Sequence, residues 1–165
     1  MTRSPQKKNW LQINTYVPSL IAVVANKLTA EASQKLRANF GIGIVEWRVL
    51  SYLAANQPAT GAAVSQSIEI DKAGVSRAAS GLHKKGIVAF RRAGPNLGYI
   101  LTAKGQRLHE RVFELSVVRQ RALLSGMSKS DVARLIRYLH ILRNNVPAME
   151  QADIPRRKSS PKPKG

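Results

Sequence analysis

The chain has 165 residues, 27 of them Lys or Arg against 9 Asp or Glu, for a formal charge of +18. That length suits one core-bearing domain with extensions and argues against a second full domain, and the charge asks for a polyanionic partner, either nucleic acid or an anionic membrane surface. The absence of cysteine rules out a disulfide framework, a thiolate metal site and a cysteine redox switch, and fits a reducing cytoplasm.

Residues 1–9 are polar and basic and are expected to form a disordered arm. Trp10, Leu11, Ile13 and Tyr16 follow as an apolar cluster that should dock on the body or on a second subunit. A helix is expected from near Thr15, whose hydroxyl can cap it, with Pro18 tolerated in the first turn. Leu20, Ile21, Val24, Leu28, Ala32 and Leu36 form one stripe at steps of three and four, and Gly41 and Gly43 end the element. The apolar patch Leu20 to Ala25 behind Arg3, Lys7 and Lys8 imitates a signal peptide, but its spacing continues past Asn26 and Lys27 as a soluble amphipathic helix would. No run of about 20 apolar residues is present to span a membrane.

The next helix, about Ile44 to Asn56, carries Val45, Val49, Leu50 and Leu53 and should be largely buried. Trp47 within it can serve the core, the commoner role for such a tryptophan, or line an effector pocket. After the break at Gln57-Pro58-Ala59, Thr60 is placed to cap a helix to about Ile68. Asp71 is placed to cap another, Lys72 to Lys85, roughly 20 Å long. On this last helix Val75, Ala78, Ala79 and Leu82 share the core face. Lys72, Ala73, Ser76, Arg77, Ser80 and Lys84 take the outer face, which is small, hydroxyl-bearing and cationic. Small residues let backbone approach a groove floor, Ser can bond phosphate or base edges, and Arg can bond guanine bidentately. A solvated helix face would more often mix charge signs, so DNA contact is the favoured reading.

Gly86 closes that helix, and Ile87 to Arg92 with Gly98 to Leu101 read as a two-stranded wing around the loop Ala93 to Leu97. Arg91 and Arg92 at its base are candidates for phosphate or minor-groove contact. Thr102 is placed to cap a long helix, Ala103 to about Leu124, with Leu108, Val112, Leu115 and Val118 on one stripe and Phe113 and Val117 on a second. Ser128 and Asp131 imitate a capping box opening a last helix to about Val146, stopped by Pro147, with Val132, Leu135, Ile136, Leu139 and Leu142 inward. Beyond Ile154 the tail PRRKSSPKPKG is a basic arm with nothing to bury.

No convergent catalytic set is visible: His83, His109 and His140 fall on separate elements, the carboxylates are scattered, and no phosphate loop or nucleophile elbow occurs. The expectation is a non-enzyme that needs no cofactor and no metal.

From Val45 to Leu142 the chain resembles the MarR family of winged helix-turn-helix transcription regulators. The resemblance is carried by Trp47-Arg48-Val49-Leu50, Asp71 with Val75-Ser76-Arg77, Leu82 with Lys85-Gly86-Ile87-Val88, and Leu101-Thr102-Ala103-Lys104-Gly105. It implies a mainly α fold: a winged helix-turn-helix with N- and C-terminal dimerisation helices. It also implies a homodimer placing two recognition helices in successive major grooves of a pseudo-palindromic site, and it gives Ser76 and Arg77 recognition contacts. A small-molecule effector between the dimerisation helices and the winged domain, near Trp47, is a further implication. Two departures stand out: Gly74 replaces the usual threonine, and the family's Asp-x-Arg-Arg wing motif has no counterpart in Ala93 to Leu97. The implied organisation is a basic arm (1–9), a helical dimerisation region (10–40 and 103–147), a winged helix (41–102) and a basic tail (148–165). The implied setting is cytoplasmic and nucleoid-associated. Two alternatives stay open: an architectural DNA-binding protein with little sequence specificity, and a partner-binding module that keeps the fold without operator or effector reading.

Overall fold

The computed structural model describes residues 12–93 and 96–152. The first basic arm, Trp10, Leu11 and the tail from Ile154 onward lie outside them. In chain order the elements are α1 (Val17–Phe40), α2 (Ile44–Ala55), β1 (Ala59–Thr60), α3 (Gly61–Ile68), α4 (Lys72–Lys84), β2 (Val88–Ala93), β3 (Asn96–Leu101), α5 (Ala103–Leu123) and α6 (Lys129–Glu150). The chain divides into two compact units after Val117, so α5 begins in the first and ends in the second.

The first unit contains the core. Leu50 and Leu53 from α2, Val64 from α3, Val75 and Leu82 from α4, Val88 from β2 and Val112 from α5 are all fully buried. Each such side chain contributes on the order of 2 kcal/mol relative to exposure. These residues cluster with Leu36 at the end of α1, so the apolar stripes of α2 to α5 converge on one centre.

Local chemistry explains where the helices start and stop. Gly41 ends α1 in the left-handed region, at φ 63°, where an L side chain is strained. The Thr60 hydroxyl accepts from the Ala63 N–H at 3.2 Å, and the Asp71 carboxylate accepts from the Gly74 N–H at 2.7 Å. Thr102 does the same for α5, accepting from the Gly105 N–H at 3.1 Å. All three are the expected caps. Thr15 is different: its hydroxyl donates to the Gln12 carbonyl at 3.1 Å, and α1 starts later, behind Tyr16, without a side-chain cap.

The sheet is larger than a two-stranded wing. β2 and β3 pair antiparallel from Val88↔Leu101 to Ala93↔Asn96, so both strands run further into the expected loop. β1 adds two residues on the other side of β3, pairing Ala59↔Tyr99 and Thr60↔Gly98. This third strand ties the start of α3 to the base of the wing.

The N-terminal half of α1 does not turn its stripe into this core. Leu20, Ile21 and Val24 are exposed, and burial begins only at Ala32, Ser33 and Leu36. The second unit repeats the pattern. The capping box at Ser128 and Asp131 is formed, each residue's N–H reaching the other's side chain at 3.2 Å. Yet Leu135, Ile136, Leu139 and Leu142 of α6 are exposed in the single chain. Helix α6 also passes Pro147 and continues to Glu150, beyond the expected stop. A proline there gives up the bond its N–H would donate to the Arg143 carbonyl, which shortens the ladder without ending it.

Candidate nucleic-acid interface

The candidate interface is assembled on α4. Helix α3 and the connection after it set its direction: Glu69 adopts the left-handed region at φ 53°, and the Ser65 hydroxyl donates to the Ile70 carbonyl at 2.6 Å, closing the turn before Asp71. Leucine and valine positions then fix the rotation of α4 about its axis. Val75, Ala78, Ala79 and Leu82 are buried, and Lys72, Ala73, Ser76, Arg77, Ser80 and Lys84 are all exposed. The expected outer face is therefore displayed as one surface about 20 Å long, the length of a major-groove reader. The nearest carboxylate in sequence, Asp71, is committed to the helix cap.

Arg91 and Arg92 are also exposed, on β2. Being adjacent on a strand, they point to opposite faces of the hairpin, so only one of them can share the outer face of α4. Phe90, next to Arg91 on β2, has no place in the sequence expectations, and the residue is 43% exposed. It packs at 4.7 Å from the His83 ring and 5.6 Å from Tyr99, while His83 Nδ1 lies 3.0 Å from the Val88 carbonyl. His83, although exposed, thus joins α4 to the wing. No local motif announces this, because the partners come from three elements.

The MarR family sequence profile matches residues 40–96, the span that contains α2 to β2. The solved structure of a MarR/EmrR family transcriptional regulator from Acinetobacter sp. ADP1 is 28% identical, covers 84% of this chain and 99% of its own, and superposes with a TM-score of 0.77. Residues 40–96 match the MarR family, and the chain shares the winged-helix fold of its members. Its class is that of DNA-binding transcription regulators with a winged helix. The same fold is seen in the S. aureus MepR–DNA complex, at 18% identity, TM-score 0.73 and coverage of 80% and 97%. It recurs in CouR from Rhodococcus jostii RHA1 bound to p-coumaroyl-CoA, at 14%, 0.74, and 81% and 95%. No match was found among curated protein sequences.

The two glycines of α4 have structural reasons. A Cβ at Gly74, where the family usually has threonine, would lie 2.9 Å from Ile70 Cγ2. One at Gly81 would lie 2.7 Å from the Glu46 carboxylate. That carboxylate accepts from the Gly43 N–H at 2.7 Å and pairs with Lys85 at 2.7 Å, and Lys85 also donates to the Gly41 carbonyl at 2.9 Å. One acidic side chain therefore fastens the end of α4 to the start of α2. The sequence alone did not single it out, because Glu46 and Lys85 lie 39 residues apart.

Trp47 is half-buried against the core, and its ring stacks on His109 at 5.6 Å, which in turn stacks on Phe113 at 6.0 Å. Burial pushes the His109 pKa below the ordinary 6.5, with the Glu110 carboxylate opposing part of that shift. Between 6.5 and the depressed value the unfolded chain binds more protons than the folded one, so stability rises with pH across that window. Replacing His109 by Gln is expected to flatten the loss of stability as pH falls through and below 6.5, measured by urea unfolding at each pH. A wild-type slope in the variant would contradict this assignment.

Proposed function

We propose that the chain is a homodimeric, sequence-reading DNA-binding regulator, with Lys72, Ala73, Ser76, Arg77, Ser80 and Lys84 of each copy entering successive major grooves. The observation that carries this reading is the division of α4 into a buried apolar face and an exposed hydroxyl and cationic face. Arg91 and Arg92 add contacts to phosphate or minor groove from the wing. Homodimerisation is supported by apolar side chains that a single chain leaves exposed: Leu20, Ile21 and Val24 on α1, and Leu135, Ile136, Leu139 and Leu142 on α6. In this reading residues 10–40 and 103–147 form the dimerisation region, 41–102 the winged helix, and the basic arms at 1–9 and 148–165 supply further phosphate contacts in a cytoplasmic, nucleoid-associated setting.

Relatives of the same fold carry DNA in one structure and p-coumaroyl-CoA in another. By analogy a small-molecule effector is assigned to the neighbourhood of Trp47, where the Trp47–His109–Phe113 stack offers flat apolar surface. The charge of +18 favours a second reading, an architectural protein that binds by charge and deformability. Selection of bound sequences from a random duplex pool separates the two. A regulator enriches two half-sites with centres about 10 base pairs apart; a pool left unenriched would support the architectural reading.

A further inference from the structure

Beyond Leu82 no side chain of α4 is buried, and one residue, Lys85, fastens this end of the helix to three others. Its ammonium donates to the Gly41 carbonyl at the end of α1 at 2.9 Å, and to the two Glu46 oxygens on α2 at 2.7 and 2.9 Å. Its own carbonyl accepts from the Lys104 ammonium of α5 at 2.8 Å. A lysine at a helix C-terminus ordinarily bonds the last carbonyls of its own helix. Here the side chain reaches away from α4 instead. Gly81, one turn earlier, makes room for the carboxylate it meets: a Cβ there would lie 2.7 Å from Glu46 Oε1, so the oxygen rests against the backbone of α4.

Stability does not account for this arrangement. The Lys85 side chain is 39% exposed and that of Glu46 15%, and an ion pair open to water on one side adds little to folding. What the junction fixes is position. Ser80 and Lys84, two of the exposed residues on α4, flank Gly81 and Lys85 in the same last turn. Hydrogen bonds to base edges hold only within a donor–acceptor window of about 2.7–3.2 Å. A helix end free to shift by about 1 Å would therefore keep its charge near phosphate and lose its grip on bases.

We propose that Lys85, with Glu46 and Gly81, is a positioning junction for base discrimination, an inference that rests on the reading of α4 as the recognition helix. The test uses the full chain and measures competition between a selection-enriched duplex and random duplex of equal length, beside urea unfolding of each variant. Lys85→Met and Glu46→Ala should each lower the preference for the enriched duplex by about tenfold or more, although one removes a positive charge and the other a negative one. Gly81→Ala should lower it too, despite its better helix propensity, and should add nothing in the Glu46→Ala background. Lys35→Met, which removes a positive charge from the exposed Glu31–Lys35 pair of α1, should leave the preference unchanged. Lys85→Met keeps the bond from the Gly43 N–H to Glu46, so it decides the matter even if Glu46→Ala does not fold. Folded variants that keep the wild-type preference would overturn the proposal. So would Lys85→Met weakening and Glu46→Ala strengthening both duplexes alike, which would make Lys85 a phosphate contact. A wild-type chain without preference would overturn base reading by α4 and this junction's role with it.

Discussion

Alanine at Gly105 is expected to destabilise the fold by about 2–3 kcal/mol, the range of overpacking against a part of the structure that cannot yield. A Cβ there would run into the backbone carbonyl of Ile87. That carbonyl is not free to move: it accepts from the Thr102 N–H at 3.1 Å and from the Thr102 hydroxyl at 3.2 Å. The same hydroxyl caps α5 through the Gly105 N–H. Displacing Ile87 therefore loosens the cap of α5 and the base of the wing together. The gain in helix propensity from Gly to Ala, at most about 1 kcal/mol, does not offset this. Gly86 is the matched control, since it has a positive φ of 68° and open space around its Cβ position. Its replacement by alanine should cost only about 1–2 kcal/mol of left-handed strain. Urea unfolding followed by circular dichroism compares the two, and a Gly105→Ala midpoint at or above wild type would contradict the packing described for Ile87.

Alanine at Arg77 is expected to act on binding alone, because the side chain is exposed and lies opposite the buried face of α4. A bidentate base contact is worth about 1–3 kcal/mol of discrimination, and a dimer would lose two. Affinity for the selected site should fall by roughly a hundredfold, with the preference at one base position per half-site relaxed and affinity for random duplex little changed. Equilibrium binding to both duplexes measures this. An equal loss on both would move Arg77 to phosphate, and no loss on either would remove it from the interface.

The parts of this fold that depend on near neighbours were legible in the sequence. Thr60, Asp71, Thr102 and Ser128 announce helix starts because a short polar side chain meets an N–H three residues ahead, and each forms that bond. The exposed set on α4 follows from Val75, Ala78, Ala79 and Leu82 repeating at helical spacing. Thr15 shows the limit of the rule: a turn from Gln12 took its hydroxyl first. Strand β1 has two residues and no periodicity to read. Pro147 reads as a stop, yet a helix can lose one bond and go on.

What was hidden comes from distant segments. The Glu46–Lys85 pair joins two helices, and the His83–Phe90–Tyr99 stack joins a helix to two strands. The stripes of α1 and α6 were visible as stripes, but reading that of α6 as inward assumed that one chain covers it; Leu20 and Val24 on α1 and Ile136 and Leu139 on α6 are exposed. Periodicity reveals an apolar face and is silent about which molecule covers it.

A recognition helix that reads bases discriminates between duplexes of equal charge and length. Competition at physiological salt between the palindrome enriched by selection and random duplex of equal length tests this for α4 most directly. The palindrome is expected to win by roughly 10³-fold or more, whereas equal competition by the two duplexes would contradict base reading by α4.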